Sequence, residues 1–313
     1  MTSGAFVPLA IASRSGMDES VHTGTVVCLG PSGDVVYAAG DPTVVIYPRS
    51  ANKPLQAAAM VRAGLRLSPE QLALACASHD GTPAHIAVVC SILATATLDE
   101  SALANTPDLP LDVASRDAVL RAGGGPESVL QNCSGKHAGM LACCICNDWP
   151  VDATYLDPEH PLQLQITVTI AALAGELVDH IGIDGCGAPA HAFSLLGLAR
   201  AFASLAVAGG PVPAAMTTHP ELVGGHRRDV TALMRGVPGL MAKDGAEGVF
   251  AAALPDGRAV ALKIGDGASR ARPAVMLAAL QRLGVDTADA APAMVQPVLG
   301  HGLPVGEVRA SLP

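Results

Sequence analysis

The spacing of apolar and polar positions changes period twice along the chain. Near the amino end, short apolar runs are cut by turn residues. Val7–Ile11 is one such run. Thr25–Leu29 and Val35–Ala38 flank Gly30-Pro31-Ser32-Gly33-Asp34, which predicts a hairpin, and Val44–Tyr47 is a further β-branched run. From residue 51 the period becomes helical: Leu55, Ala58, Ala59 and Ala63 share a face of a segment running from Ala51 to Gly64. Ser68-Pro69-Glu70 supplies a cap, a first-turn proline and an acid ahead of Leu72–Cys76, and Thr82-Pro83 opens a helix through Leu98. Helices are also expected at Ser134–Asn147, Pro161–His180 and Ala190–Ala208. The last third returns to strands. Gly248–Leu254 and Ala259–Ile264 surround the turn Pro255-Asp256-Gly257, a helix follows from Ser269 to Leu283, and a short strand lies near Val308.

Strands at both ends with helices between them predict an α/β fold. One sheet draws on residues 1–48 and 240–313, and the middle, 49–239, is mostly helical. No repeat, low-complexity tract or linker divides the chain, so a single domain over 1–313 is expected. Half of the residues are hydrophobic but only 3% are aromatic, so the core is aliphatic. The net charge is −9 with no basic run, which argues against a nucleic-acid partner and favours a small uncharged or zwitterionic substrate. Met1–Leu9 lacks the pattern of a signal peptide, and Ile166–Ala174 and Leu195–Ala208 are too short or too broken to span a bilayer. A cytoplasmic protein without a membrane partner is expected. The eight cysteines are then reduced thiols, and Cys28, Cys76, Cys90, Cys143, Cys144 and Cys146 read as small core residues.

Five short stretches carry chemistry beyond packing. Arg49-Ser50-Ala51-Asn52-Lys53-Pro54 puts a serine and a lysine three apart at a helix start, on one face. A neutral lysine there can take the serine proton, and the first-turn N–H groups can receive an oxyanion. Ser78-His79-Asp80-Gly81-Thr82-Pro83-Ala84-His85 packs hydroxyl, imidazole and carboxylate groups into a turn, with Ser78 as a second nucleophile or a proton relay. Asn132-Cys133-Ser134-Gly135-Lys136-His137 combines thiol, hydroxyl, ammonium and imidazole ahead of an apolar helix, where a helix start favours a thiolate. In Asp184-Gly185-Cys186-Gly187-Ala188-Pro189, glycines on both sides expose the cysteine. Lys263-Ile264-Gly265-Asp266-Gly267 ends a strand with a lysine that can reach a site from the sheet. Spacing alone gives little signal for a metal, because Cys133 and Cys186 form no C-x-x-C pair.

Together these stretches, with Lys243–Val249, resemble the rhizobial-type L-asparaginases, the class 3 or asparaginase II family. The match runs in order over nearly the whole chain, and Asn-Cys-Ser-Gly-Lys-His and Asp-Gly-Cys-Gly-Ala-Pro are its most specific parts. The resemblance implies a fold like the serine β-lactamases and glutaminases, a central sheet with flanking helices and a helical lobe. It implies two catalytic pairs, Ser50 with Lys53 and Ser78 with Lys263. It implies a Zn²⁺ site at Cys133, Lys136 and Cys186 that tunes substrate affinity, with Asp184 beside it, and a homodimer. One departure is visible: some members carry a cysteine where Phe250 and Ala251 follow Val249 here. The expected activity is hydrolysis of L-asparagine to L-aspartate and ammonia, with Ser50 attacking the side-chain amide and Arg49, His79 or Asp184 holding the substrate's α-amino and α-carboxylate groups. Which serine forms the ester stays open, as does preference over glutamine. Two rival readings stand: a β-lactamase-like acyl-serine hydrolase or glutaminase on another amide, and a non-enzymatic zinc or redox protein. The second leaves Lys53, Lys136 and Lys263 without a task.

Overall fold

A computed structural model describes residues 4–313. Eleven strands run in chain order among the described residues: β1 (Val7–Arg14), β2 (Met17–Leu29), β3 (Val35–Ala39), β4 (Val45–Ile46), β5 (His180–Ile183), β6 (Pro189–Ser194), β7 (Met241–Gly245), β8 (Val249–Ala253), β9 (Ala259–Ile264), β10 (Gln296–Gly300) and β11 (Leu303–Ala310). Eight of them make one sheet in the order β10-β11-β1-β2-β9-β8-β7, with β3 also paired to β2. Both chain ends build it. Val26 on β2 faces Leu262 on β9, and Ala10 on β1 faces Ala310 on β11. A separate three-stranded sheet joins β4, β6 and β5. The expected α/β class, with its sheet from both ends and helices between, is borne out.

The turns explain the register. Between β2 and β3, Gly33 takes a φ of 81° and its N–H bonds the Gly30 carbonyl at 2.9 Å. Between β8 and β9, Asp256 accepts from the Arg258 N–H at 3.1 Å and Gly257 sits at φ 96°. Every residue of β7, β8 and β9 is buried, so both faces of this part of the sheet are covered. The helices Leu195–Ala208 and Arg272–Arg282 both pack on β8 and β9. Alanines at 251, 252, 253, 259 and 261 let those helices approach closely.

The helical part gathers Lys53–Arg62, Pro69–Ala75, Pro83–Thr95, Ser134–Cys146 and Pro161–Ala174 against one another. Ser68 and Gln71 form a full capping box, and the Thr82 side chain caps the helix behind it. Two helix boundaries differ from expectation. The helix expected to reach His180 stops at Ala174, because Gly175 takes the left-handed conformation at φ 70° that ends helices. The segment expected to be helical from Ala190 is the fully buried strand β6, and its helix starts only at Leu195. Ser194 marks that boundary: its hydroxyl accepts from the Gly197 N–H at 2.8 Å and donates to Glu176 at 2.9 Å. Among the described residues, no single helix is long and apolar enough to cross a membrane.

Candidate active site

Lys53 opens the helix Lys53–Arg62, just after a short 3₁₀ turn from Arg49 to Asn52. Its side chain is 1% exposed. A buried ammonium needs partners. Nζ finds the Ala77 carbonyl at 2.6 Å and the Ser78 hydroxyl at 3.1 Å. The sequence pairs Lys53 with Ser50, but the hydrogen bond that forms is to Ser78. Lysine carries a long flexible stem, so packing of the 77–78 turn decides its partner rather than spacing along the helix. Ser50 is half-buried, and its hydroxyl has no hydrogen bond among the described residues.

The Ser78 turn is tied on two sides. Arg228 donates to the Ser78 carbonyl at 2.7 Å and pairs with Asp244 on β7. His79 is fully buried. Its Nδ1 accepts from the Gly81 N–H at 3.1 Å, so a neutral ring carries its proton on Nε2 and donates to Ser134 Oγ at 2.9 Å. Burial, then the cations His85, Lys53 and Arg228, hold its pKa well below the ordinary histidine range. Expected as a substrate binder, His79 instead has both ring nitrogens committed and joins the Ser78 turn to the Cys133 segment.

That segment starts the helix Ser134–Cys146, and it meets the Asp184–Pro189 loop. Lys136, 2% exposed, donates to Cys186 Sγ at 3.1 Å. The Cys133 thiol donates to Asn132 Oδ1 at 3.2 Å. Cys133, Lys136 and His137, which surround Cys186, hold its pKa far below the thiol range against its burial. The facing Cys186 and burial raise the Cys133 pKa. Burial opposes charge on Lys136, yet the facing Cys186, Cys133 and Asp184 keep its pKa above the usual lysine value. The corner is therefore a buried ammonium–thiolate pair. Lys53 lies close enough to act on Cys133 and His137.

His137 has no assigned role in the sequence reading. The Ala104 N–H donates to Tyr155 Oη at 3.2 Å, and Tyr155 pairs with His137 Nδ1 at 2.8 Å. A Tyr155 hydroxyl spent on Nδ1 leaves the proton of a neutral ring on Nε2, beside Cys186. Burial, then Lys136, lowers the His137 pKa to about 4, so the ring is neutral. A histidine directly following a lysine in a motif stretch was the available signal.

Arg49 and Asp184 find each other. Arg49 Nε and Nη2 both reach Asp184 Oδ1 at 2.8 Å. Arg49 also lines a cavity of about 420 Å³ with Tyr47, Asp179, His180, Glu247 and Lys263. The expected Ser78–Lys263 pair does not form: Lys263 Nζ donates to the carbonyls of Glu247 at 2.5 Å and Ile264 at 2.8 Å. Lys263 ends β9, and Glu247 in the neighbouring β7–β8 turn, at φ 57°, supplies the acceptor. Beneath the site, Lys243 is completely buried and donates to Asp244, which also meets Arg228 and Arg272. Burial lowers the Lys243 pKa to about 8, with Lys53 and Arg228 adding to the effect and Asp244 opposing it.

A family model described as L-asparaginase II matches residues 10–310. The chain belongs to the L-asparaginase II family. It is accordingly an amidohydrolase of the asparaginase type, and the buried serine, lysine and cysteine groups above lie within the matched span. Comparison with curated proteins finds no match. Among solved structures, this asparaginase II chain is similar to a β-lactamase from Mycobacterium bovis, 17% identical with a TM-score of 0.40, covering 83% of this chain and 94% of that one. EstCE1, a hydrolase with promiscuous acyltransferase activity, is 12% identical with a TM-score of 0.43, over 82% and 93%. Mglu in its native form is 13% identical with a TM-score of 0.42, over 87% and 62%.

Proposed function

We propose that the chain hydrolyses L-asparagine to L-aspartate and ammonia through an acyl-serine. The observation that carries this reading, beside the family, is the buried Lys53–Ser78 hydrogen bond one turn from a partner-free Ser50 hydroxyl. Lys53, in its neutral form, takes the proton of the attacking hydroxyl. Ser50 attacks: it is less buried than Ser78, and the helix behind it starts without a side-chain cap, leaving N–H groups for an oxyanion. The Ser50 oxygen bonds the amide carbon, the carbon–nitrogen bond breaks, and the Lys53 proton leaves with ammonia. Water then cleaves the β-aspartyl ester and the serine proton is restored. Ser78 holds Lys53 in place and relays protons. Arg49 and its partner Asp184 meet the α-carboxylate and α-amino groups, and Arg49 shares its cavity wall with Lys263.

The 3.1 Å bond also favours a second reading, in which Ser78 attacks and Ser50 relays. Mass spectrometry of quenched enzyme separates them. An aspartyl adduct on the Ser50 peptide, with ammonia release abolished in Ser50→Ala, is the expected result. An adduct on Ser78 transfers the role, and no ammonia from asparagine beside rapid release from glutamine removes the substrate assignment.

The donor set at Cys133, Cys186 and Lys136 fits Zn²⁺: two sulfurs, one already held as thiolate, and an amine that binds once deprotonated. Bound there, the ion supplies positive charge beside the substrate. Elemental analysis of protein purified without chelator is expected to find zinc, lost in Cys186→Ser. A cytoplasmic homodimer completes the proposal, with sedimentation expected to give twice the chain mass.

A further inference from the structure

Asn52 is 3% exposed, between Ser50 and Lys53 in the 3₁₀ turn. Its Nδ2 donates to the His191 carbonyl at 3.4 Å. A carbonyl cannot receive anything from the other end of the amide, so the orientation is set by chemistry: Nδ2 faces His191 and Oδ1 faces away. Oδ1 is buried and has no hydrogen-bond partner among the described residues. Leaving such a buried acceptor unsatisfied is costly, so a partner is expected to fill it. The bonded neighbour repeats the pattern. The Thr167 hydroxyl donates to the Gln163 carbonyl at 2.9 Å, so His191 Nε2 carries the proton and donates to Thr167 at 2.9 Å. A neutral His191 then keeps Nδ1 as a bare buried acceptor, also without a partner. Lys136 lies close enough to His191 to act on its charge.

We infer that Asn52 is a specificity-determining residue that accepts a hydrogen bond from the substrate's side-chain amide nitrogen. This rests on the proposed attack on a side-chain amide beside Lys53. Lys53 and Lys136 are donors that suit a carbonyl oxygen or a developing oxyanion, and the acceptors they face, Ser78 Oγ and Cys186 Sγ, are already taken by them. Asn52 Oδ1 is the buried acceptor beside Lys53 in sequence that is left without a partner. It also meets the carboxylate of the product with a repulsive oxygen, which favours amide entry and acid exit. An ester of the same shape has no N–H to offer and gains nothing from Asn52.

The test compares kcat/KM for L-asparagine with that for the β-methyl ester of L-aspartate, in wild type and Asn52→Ala. The amide-to-ester ratio is expected to fall about tenfold or more in the variant. An unchanged ratio, whether both substrates slow together or neither does, overturns the inference and leaves Asn52 a packing residue. Asn52→Thr, which keeps bulk and a hydroxyl acceptor, carries the same ratio test where the alanine variant does not fold. If wild type cleaves glutamine but not asparagine, the substrate assignment falls by itself, and the ratio is read on glutamine against the γ-methyl ester of glutamate.

Discussion

Two corners of the site each press a buried lysine ammonium against a nucleophilic atom, and they end in opposite states. At one, Lys53 meets the hydroxyl of Ser78 and the carbonyl of Ala77. At the other, Lys136 meets Cys186, held as a thiolate by Cys133, His137 and Lys136 itself. A hydroxyl carries no charge, so Lys53 is not held by an opposite charge at that contact. A thiolate does carry charge, so in the metal-free corner Lys136 stands as its counter-ion, and it gives up that proton where it binds the proposed zinc. The same side chain thus faces a neutral hydroxyl in one corner and a sulfur held low in pKa in the other, a difference that suits the proposed proton carrier at Lys53. The partner decides, not the burial, since both lysines are almost wholly enclosed.

The comparison breaks most sharply if Lys53 proves dispensable. Lys53→Met is expected to lower kcat for ammonia release by roughly 10²–10⁴-fold, the range for a lost general base, in a protein that still folds. Turnover within tenfold of wild type would mean that Lys53 is as static as Lys136. The converse substitution probes the other corner. Lys136→Met strips the counter-ion from a buried thiolate and is expected to cost about 3–5 kcal/mol in urea unfolding. If unfolding shifts by less than about 1 kcal/mol, Cys186 is protonated and the corner is no ion pair.

Much of this contrast is legible in the residues themselves. Ser50, Lys53, Ser78, Cys133, Lys136, Asp184 and Cys186 were all marked by reactive groups in glycine-bearing or helix-opening stretches, and the structure links their segments through Lys53, Arg49 and Lys136. The sheet at both ends was legible because its hairpins carry their turn residues. Partner choice was not legible. An i, i+3 spacing says which face Lys53 leaves from, but its four-carbon stem reaches whatever acceptor the fold delivers, and the fold delivers Ser78. Lys263 finds local carbonyls for the same reason. The strand β6 was hidden because Ala190–Ser194 and Leu195–Ala208 are apolar in the same way, and only the Ser194 cap separates them. The network of Lys243, Asp244, Arg228 and Arg272 was missed because a Lys-Asp pair reads as a solvated surface until β7 proves fully buried.

Acid sharpens the contrast through the histidines that line both corners. His137 and His191 are buried, and burial lowers each pKa to about 4 from 6.5. The unfolded chain therefore binds protons that the folded chain refuses. Stability is unaffected above about pH 6.5 and falls as pH drops toward 4, by roughly 3 kcal/mol for each ring. Unfolding free energies measured from pH 7 to 4 are expected to show this slope, steepened by His79 and His85, whose pKa values are also lowered, and His191→Gln is expected to remove its own share of roughly 3 kcal/mol. A flat profile in wild type would mean that the rings protonate freely, and a positive His137 would then compete with Lys136 for the thiolate.

The smallest expected effect falls on the joint between the corners. His79 donates from Nε2 to Ser134 Oγ, and that hydroxyl donates onward to the Val129 carbonyl at 2.7 Å. The chain of bonds ties the Ser78 turn to the first residue of the helix that carries Lys136. Ser134→Ala leaves a buried N–H without a partner and is expected to cost about 1–3 kcal/mol. Stability alone would not show that the corners are coupled. The coupled outcome is a fall in kcat together with faster labelling of Cys186 by a thiol reagent, because both turns lose the same anchor. Loss of stability with neither change would show two corners that share a core but work apart, and the difference between Lys53 and Lys136 would then rest on their immediate partners alone.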